Sequence, residues 1–137
     1  MRTAWHVLVA YDGSAEAKRA LVRTVELATP ADTVSVINVM PEPGVSARIG
    51  PPKERQRQGE LLHEAAAFLV SHNIDAQLIH AVGNAAHEIL TAAQQEGADV
   101  IVVARHSGHH APHLLGSVTS RVVHDARCDV LVVHDID

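Results

Sequence analysis

The stretch AVGNAAHEILTAAQQEGADVIVVA, residues 81–104, decides the fold. Asn84 can cap a helix, because its side chain accepts a hydrogen bond from an amide of the first turn. Behind it, Ile89, Leu90 and Ala93 recur at helical spacing, and Gly97 supplies a stop. Asp99–Ala104 (DVIVVA) then follows as an apolar run of strand length. It barely alternates, which is how a strand buried on both faces reads. A helix feeding a doubly buried strand is half of a βαβ unit in a parallel sheet.

The same alternation extends to both ends of the chain. Trp5–Tyr11 (WHVLVAY), Thr33–Met40 (TVSVINVM), Ile74–Val82 (IDAQLIHAV) and Asp129–His134 (DVLVVH) are further strand-length runs rich in β-branched residues. Ile74–Val82 alternates, with Ile74, Ala76, Leu78, His80 and Val82 on one side, and reads as a strand near an edge. Ser14 caps a helix carrying Ala17, Ala20, Leu21 and Ala28. Residues 53–72 set Leu61, Leu62, Ala65, Phe68 and Leu69 on one stripe that ends near Asn73. Ser117 caps a last helix carrying Val118, Val122 and Val123. The order is βαβαβαβαβ, a single α/β domain over residues 1–137 with an open parallel sheet and helices on two faces. Residues 41–52 (PEPGVSARIGPP) hold four prolines and two glycines and read as a mobile loop.

Composition agrees with this architecture. Hydrophobic residues make up 47% of the chain and aromatics only 2%, so the core must be built from Val, Ile, Leu and Ala. The net charge of -5 with histidines neutral argues against nucleic acid as a partner. The basic group Arg48, Lys53, Arg55 and Arg57 is diluted by Glu54 and Glu60 and lacks interleaved aromatics, so it reads as a solvated helix start. A lone cysteine, Cys128, cannot form an internal disulfide and reads as a small buried residue. No apolar run approaches the roughly 20 residues of a membrane span. The start of the chain does not read as a signal peptide, and a cytoplasmic protein is the expectation.

In open α/β sheets, ligands bind beyond the carboxyl ends of the strands. Those ends carry Tyr11-Asp12-Gly13-Ser14, Asn38-Val39-Met40, Val82-Gly83-Asn84 and Arg105-His106-Ser107-Gly108. Gly116-Ser117 places amides at a helix N-terminus, a site suited to an anion. Between them, His106, His109, His110 and His113 fall at i, i+3, i+4 and i+7, a spacing that on a helix suits Zn²⁺ or Ni²⁺. Gly108 and Pro112 oppose a regular helix there, and no cysteine or carboxylate lies within the cluster. With eleven histidines in the chain, biased composition is the preferred reading and no metal is assigned. No nucleophile-elbow motif accompanies Ser14, Ser107 or Ser117, so an enzyme is not expected.

Four pieces in order, VLVAYDGS, VSVINVMPE, AVGNAAHEILTAAQQEGADVIVVA and LLGSVTSRVVHDARCDVLVV, make the chain resemble the universal stress protein family over essentially its whole length. The resemblance implies strand order 3-2-1-4-5, a homodimer through the C-terminal strand Asp129–His134 and a role in stress adaptation without strong catalysis. Many members bind ATP through Gly-x2-Gly-x9-Gly-Ser/Thr. On that pattern the nucleotide, with Mg²⁺, would meet Ala10, Tyr11, Asp12, Gly13, Val39, Arg105, Gly108, Gly116, Ser117 and Val118. Here the first glycine is replaced by Arg105, and only seven residues, His109 to Leu115, separate Gly108 from Gly116. Arg105 either blocks a triphosphate or lends it a guanidinium. Two functions follow: an ATP-binding regulatory protein with little or no hydrolysis, or a member that has lost ATP binding and acts as a dimeric interaction module. A phosphoacceptor receiver domain fares worse, since Asp12 lacks an acidic partner and no lysine follows the last strand.

Overall fold

The computed structural model describes residues 4–42, 50–106 and 115–134. Strands β1 (His6–Ala10), β2 (Thr33–Met40), β3 (Gln77–Val82), β4 (Val100–Ala104) and β5 (Asp129–Val133) alternate with helices α1 (Ala15–Leu27), α2 (Gly50–Val70), α3 (Ala85–Glu96) and α4 (Ser117–Asp125). The strands form one five-stranded sheet in the order β3-β2-β1-β4-β5, with every neighbouring pair parallel. This is the fold and strand order expected.

The absence of alternation in the central strands has a direct cause. Val7, Val9, Val34 and Val36 face one core, closed by Ala20 and Leu21 of α1 and by Leu62, Ala65 and Leu69 of α2. Leu8, Ile37, Ile101 and Val103 face a second core, closed by Ile89 and Ala93 of α3 and Val122 of α4. Both sides of β1 are therefore dry, and a run of apolar residues is what such a strand needs.

The helix ends follow their local chemistry. Ser14 Oγ accepts from the Ala17 amide at 3.1 Å, and Asn84 Oδ1 accepts from the His87 amide at 3.0 Å. Gly97 turns left-handed at φ 66, and Asn73 does the same after α2 at φ 64. After α2, the Asn73 amide donates to Val70 O and the Ile74 amide to Leu69 O, both at 2.9 Å. That pair of bonds satisfies carbonyls a helix end would otherwise leave open.

Two boundaries differ from the sequence reading by three residues each, and one helix buries a different face. Helix α2 begins at Gly50, three residues ahead of residue 53, so the end of the expected loop 41–52 is helical. Pro51 and Pro52 are compatible with this, because first-turn amides have no intrahelical partner to lose. Residues 43–49 lie outside the described residues. Strand β3 begins at Gln77 and not at Ile74, and its side bearing Leu78 and Val82 is the exposed one. Ile79 and Ala81, on the other side, pack against the second core. In α4 the buried residues are Thr119 and Val122, while Val118 and Val123 are exposed.

Candidate functional site

The crossovers from β1 and from β4 leave on opposite faces of the sheet, so the helices diverge beyond the carboxyl ends of these two strands. The gap is an open crevice of about 710 Å³, counting the solvent at its mouth. Its apolar floor includes Ala10, Ile37, Val39 and Val103. Gly116, Ser117, Val118 and Thr119 form one wall, with Tyr11, Asp12 and His106 also in the lining. Of the expected site residues, the structure thus brings together Ala10, Tyr11, Asp12, Val39, Gly116, Ser117 and Val118.

The wall built by α4 is stapled to the end of β4. The Gly116 amide donates to Arg105 O at 3.0 Å, and Thr119 Oγ1 donates to Ala104 O at 2.6 Å. The sequence reading made Ser117 the cap, but Gly116 holds that position with φ -61 and ψ 157, and Ser117 is the first helical residue. Glycine suits that position. A Cβ on Gly116 would lie 3.1 Å from both Cα and Cβ of His106. The Gly116 amide, expected to face an anion, is also spent on Arg105. The amides of Ser117, Val118 and Thr119 are the ones that the first turn leaves without an intrahelical acceptor.

Two expected contacts fall elsewhere. Gly13 is not in the lining. It turns the chain from β1 into α1 at φ +84, where a Cβ would collide with Leu61 Cδ2. Arg105 is not in the lining either, and its backbone links three elements, donating to Val133 O at 2.9 Å and accepting from Gly116. Gly108 lies outside the described residues, as do His109, His110 and His113. Among the described residues, no group of three His, Cys, Asp or Glu side chains is placed to hold a metal ion.

A buried polar chain behind the crevice went unread in the sequence. Gln58 of α2 donates from Nε2 to Asn38 O and to Ala81 O, both at 2.8 Å. Asn38 Nδ2 in turn donates to Tyr11 O at 2.8 Å. These bonds tie the ends of β3, β2 and β1 together beneath Val39 and Asp12. Tyr11 is held again by its hydroxyl, which donates to Glu64 Oε1 at 2.7 Å. Burial, reinforced by that bond, pushes the Tyr11 hydroxyl above its ordinary range, so it stays a neutral donor. The Tyr11 hydroxyl holds the Glu64 carboxyl below its usual value, helped by Lys18. Tyr11 therefore acts as an anchor between β1 and α2. The exposed Asp12 carboxylate accepts from the Ser14 amide at 2.9 Å, which fixes it at the crevice rim.

Comparison with known proteins agrees with this geometry. The model of the universal stress protein family matches residues 5–134. Universal stress protein YxiE of Bacillus subtilis is 31% identical over 143 residues, covering 93% of this chain and 97% of that protein. Universal stress protein A homolog 2 of Coxiella burnetii is 44% identical over 59 residues, and that match spans only 40% of its length and 43% of this chain. A universal stress protein solved in complex with cAMP superposes with a TM-score of 0.76 at 24% identity, covering 95% of this chain and 97% of that one. A family protein from Arabidopsis thaliana with AMP bound gives a TM-score of 0.75 at 18% identity, covering 96% and 92%.

Proposed function

We propose that this chain, which belongs to the universal stress protein family, binds an adenine nucleotide in the crevice between β1 and β4 and serves as a nucleotide-responsive stress-adaptation protein. The observation that carries the reading is the arrangement of the crevice: an apolar floor, a carboxylate at the rim and a helix N-terminus on one wall. An adenine ring fits the small apolar surface of Ala10, Ile37 and Val39. A ribose hydroxyl can donate to the Asp12 carboxylate, a group with several acceptor positions. A phosphate suits the amides of Ser117, Val118 and Thr119 and the positive end of the α4 dipole. The nucleotides bound by the cAMP and AMP neighbours are of this class.

ATP with Mg²⁺ is the fullest ligand of this class, and Asp12 is the carboxylate that would hold the metal beside the phosphates. Hydrolysis is expected to be weak, because no lysine or arginine is present among the described lining residues to neutralise the charge that develops on a transferring phosphate. Response to the ligand would pass to a partner copy through Asp129–His134. Strand β5 is an edge of the sheet with Val130, Leu131 and Val132 only partly covered. No helix of the described residues is long and apolar enough to cross a membrane, and action in the cytoplasm follows the family resemblance.

A second reading, an interaction module without nucleotide, is favoured by the Gly116 amide being spent on Arg105. Calorimetric titration separates the two. The protein should bind AMP or ATP with a Kd below about 1 mM. Arg105→Gly should change that affinity by no more than about threefold, since the Arg105 side chain lies outside the lining. Absence of heat with both nucleotides at millimolar concentration, with and without Mg²⁺, would establish the module reading instead.

A further inference from the structure

We infer that Thr119 is a positioning residue for the phosphate of the bound nucleotide, and that through it the crevice distinguishes a nucleotide from a bare nucleoside; this rests on the nucleotide reading above. Thr119 belongs to the crevice lining, yet it is only 5% exposed, and its hydroxyl donates to Ala104 O at 2.6 Å. Ala104 is the last residue of β4. The next carbonyl, Arg105 O, accepts from the Gly116 amide at 3.0 Å. Two consecutive carbonyls at the strand end therefore hold the start of α4, one through the cap backbone and one through a side chain of the first turn. Valine has nearly the shape of threonine and would fill the same buried place, so the hydroxyl is there for its bond and not for its bulk.

That bond bears on a phosphate in two ways. The Ser117, Val118 and Thr119 amides can meet phosphate oxygens only if the turn is held still, because a hydrogen bond weakens steeply once its atoms leave the line. Helix α4 has nine residues and no side-chain cap, whereas Ser14 and Asn84 cap α1 and α3. So short a helix does not fix its own first turn, and the pin to Ala104 does so from the strand. The second effect is electrostatic. Ala104 also lines the crevice, and its carbonyl oxygen carries partial negative charge that the Thr119 hydroxyl covers. Without the hydroxyl, a carbonyl short of a donor stands on the wall that must accept a phosphate. Neither effect reaches Ala10, Ile37 and Val39, the floor on which the base rests, so the loss falls on the phosphate alone.

Calorimetric titration of AMP and of adenosine into the wild-type protein, Thr119→Val and Thr119→Ser tests the inference. The wild type should bind AMP at least roughly tenfold more tightly than adenosine. Thr119→Val, which keeps the shape and loses the donor, should cut that ratio to about threefold or less by weakening AMP, with adenosine affinity held within about twofold. Thr119→Ser, which keeps the hydroxyl, should preserve the ratio. Thermal melting of each variant reports folding, and Thr119→Ala stands in if Thr119→Val does not fold. Failure of both to fold would overturn the inference by making Thr119 a residue of the core. Adenosine binding as tightly as AMP in the wild type, an unchanged ratio in a folded Thr119→Val, or equal weakening of both ligands would also overturn it and leave the crevice as the binding site. Absence of binding by either ligand would overturn both.

Discussion

Leu62→Ala is expected to lower the free energy of unfolding by about 3 kcal/mol, within the range seen when a buried leucine is truncated. Leu62 is fully buried on the sheet side of α2, packed in the core that Val34 and Val36 of β2 share with Leu69. Its loss removes the transfer free energy of three carbons and leaves a hole between a helix and a sheet, two rigid surfaces that cannot collapse together. Urea unfolding followed by far-ultraviolet circular dichroism measures the change. Val70→Ala, eight residues along the same helix but 57% exposed, is the control and should shift stability by under about 0.5 kcal/mol. A loss for Leu62→Ala no larger than that of the control would show that α2 does not pack as described.

Gln58→Ala is expected to cost about 2 kcal/mol and also to weaken nucleotide binding. The Gln58 side chain is 4% exposed and gives both its bonds to carbonyls at the ends of β2 and β3. Truncation leaves those carbonyls short of a donor in a dry site, a penalty of about 1–3 kcal/mol, and opens a void beside them. The ends of β2 and β3 lose a donor that bridges them, so Val39 loses definition on the floor of the crevice. Gln56→Ala makes a fair comparison. The Gln56 amide reaches only Glu60, at 3.3 Å on the exposed side of the helix, and its loss should be within about 0.5 kcal/mol. Stability and AMP affinity both unchanged in Gln58→Ala would remove the polar chain from the account.

The strands were legible because a parallel sheet demands apolar residues on both faces, and the Val-rich runs satisfy that demand without ambiguity. The helix ends were legible where one residue carries the chemistry: Ser14, Asn84, Gly97 and Asn73 each do what their type does best. Strand β3 was harder. Both of its sides carry apolar residues, and only the positions of α2 and α3 decide that Ile79 and Ala81 are covered while Val82 is left 44% exposed. Helix α4 misled for a related reason. Hydrophobicity favours Val118 and Val123, yet Thr119 turns inward because its hydroxyl finds the Ala104 carbonyl.

The candidate site was partly legible by position. Ala10, Asp12, Val39 and Ser117 stand at strand ends or at a helix start, where an open sheet must place its ligand. Gln58 carried no signal, because within RQRQGE it is indistinguishable from residues on the solvent side of the helix. His106 was noticed only as one histidine among several. Its contact with Gly116 joins residues ten positions apart and exists only once β4 and α4 are docked.

In the proposed function an adenine nucleotide sits in the β1/β4 crevice with its phosphate on the first turn of α4. Amide chemical shifts of ¹⁵N-labelled protein titrated with AMP test it residue by residue. The largest perturbations are expected at Ser117, Val118 and Thr119, with smaller ones at Asp12 and Val39 and none at Trp5 or Asp32 at the opposite end of the sheet. Perturbations centred away from α4 and the carboxyl ends of β1 and β2, or none at millimolar AMP, would contradict it.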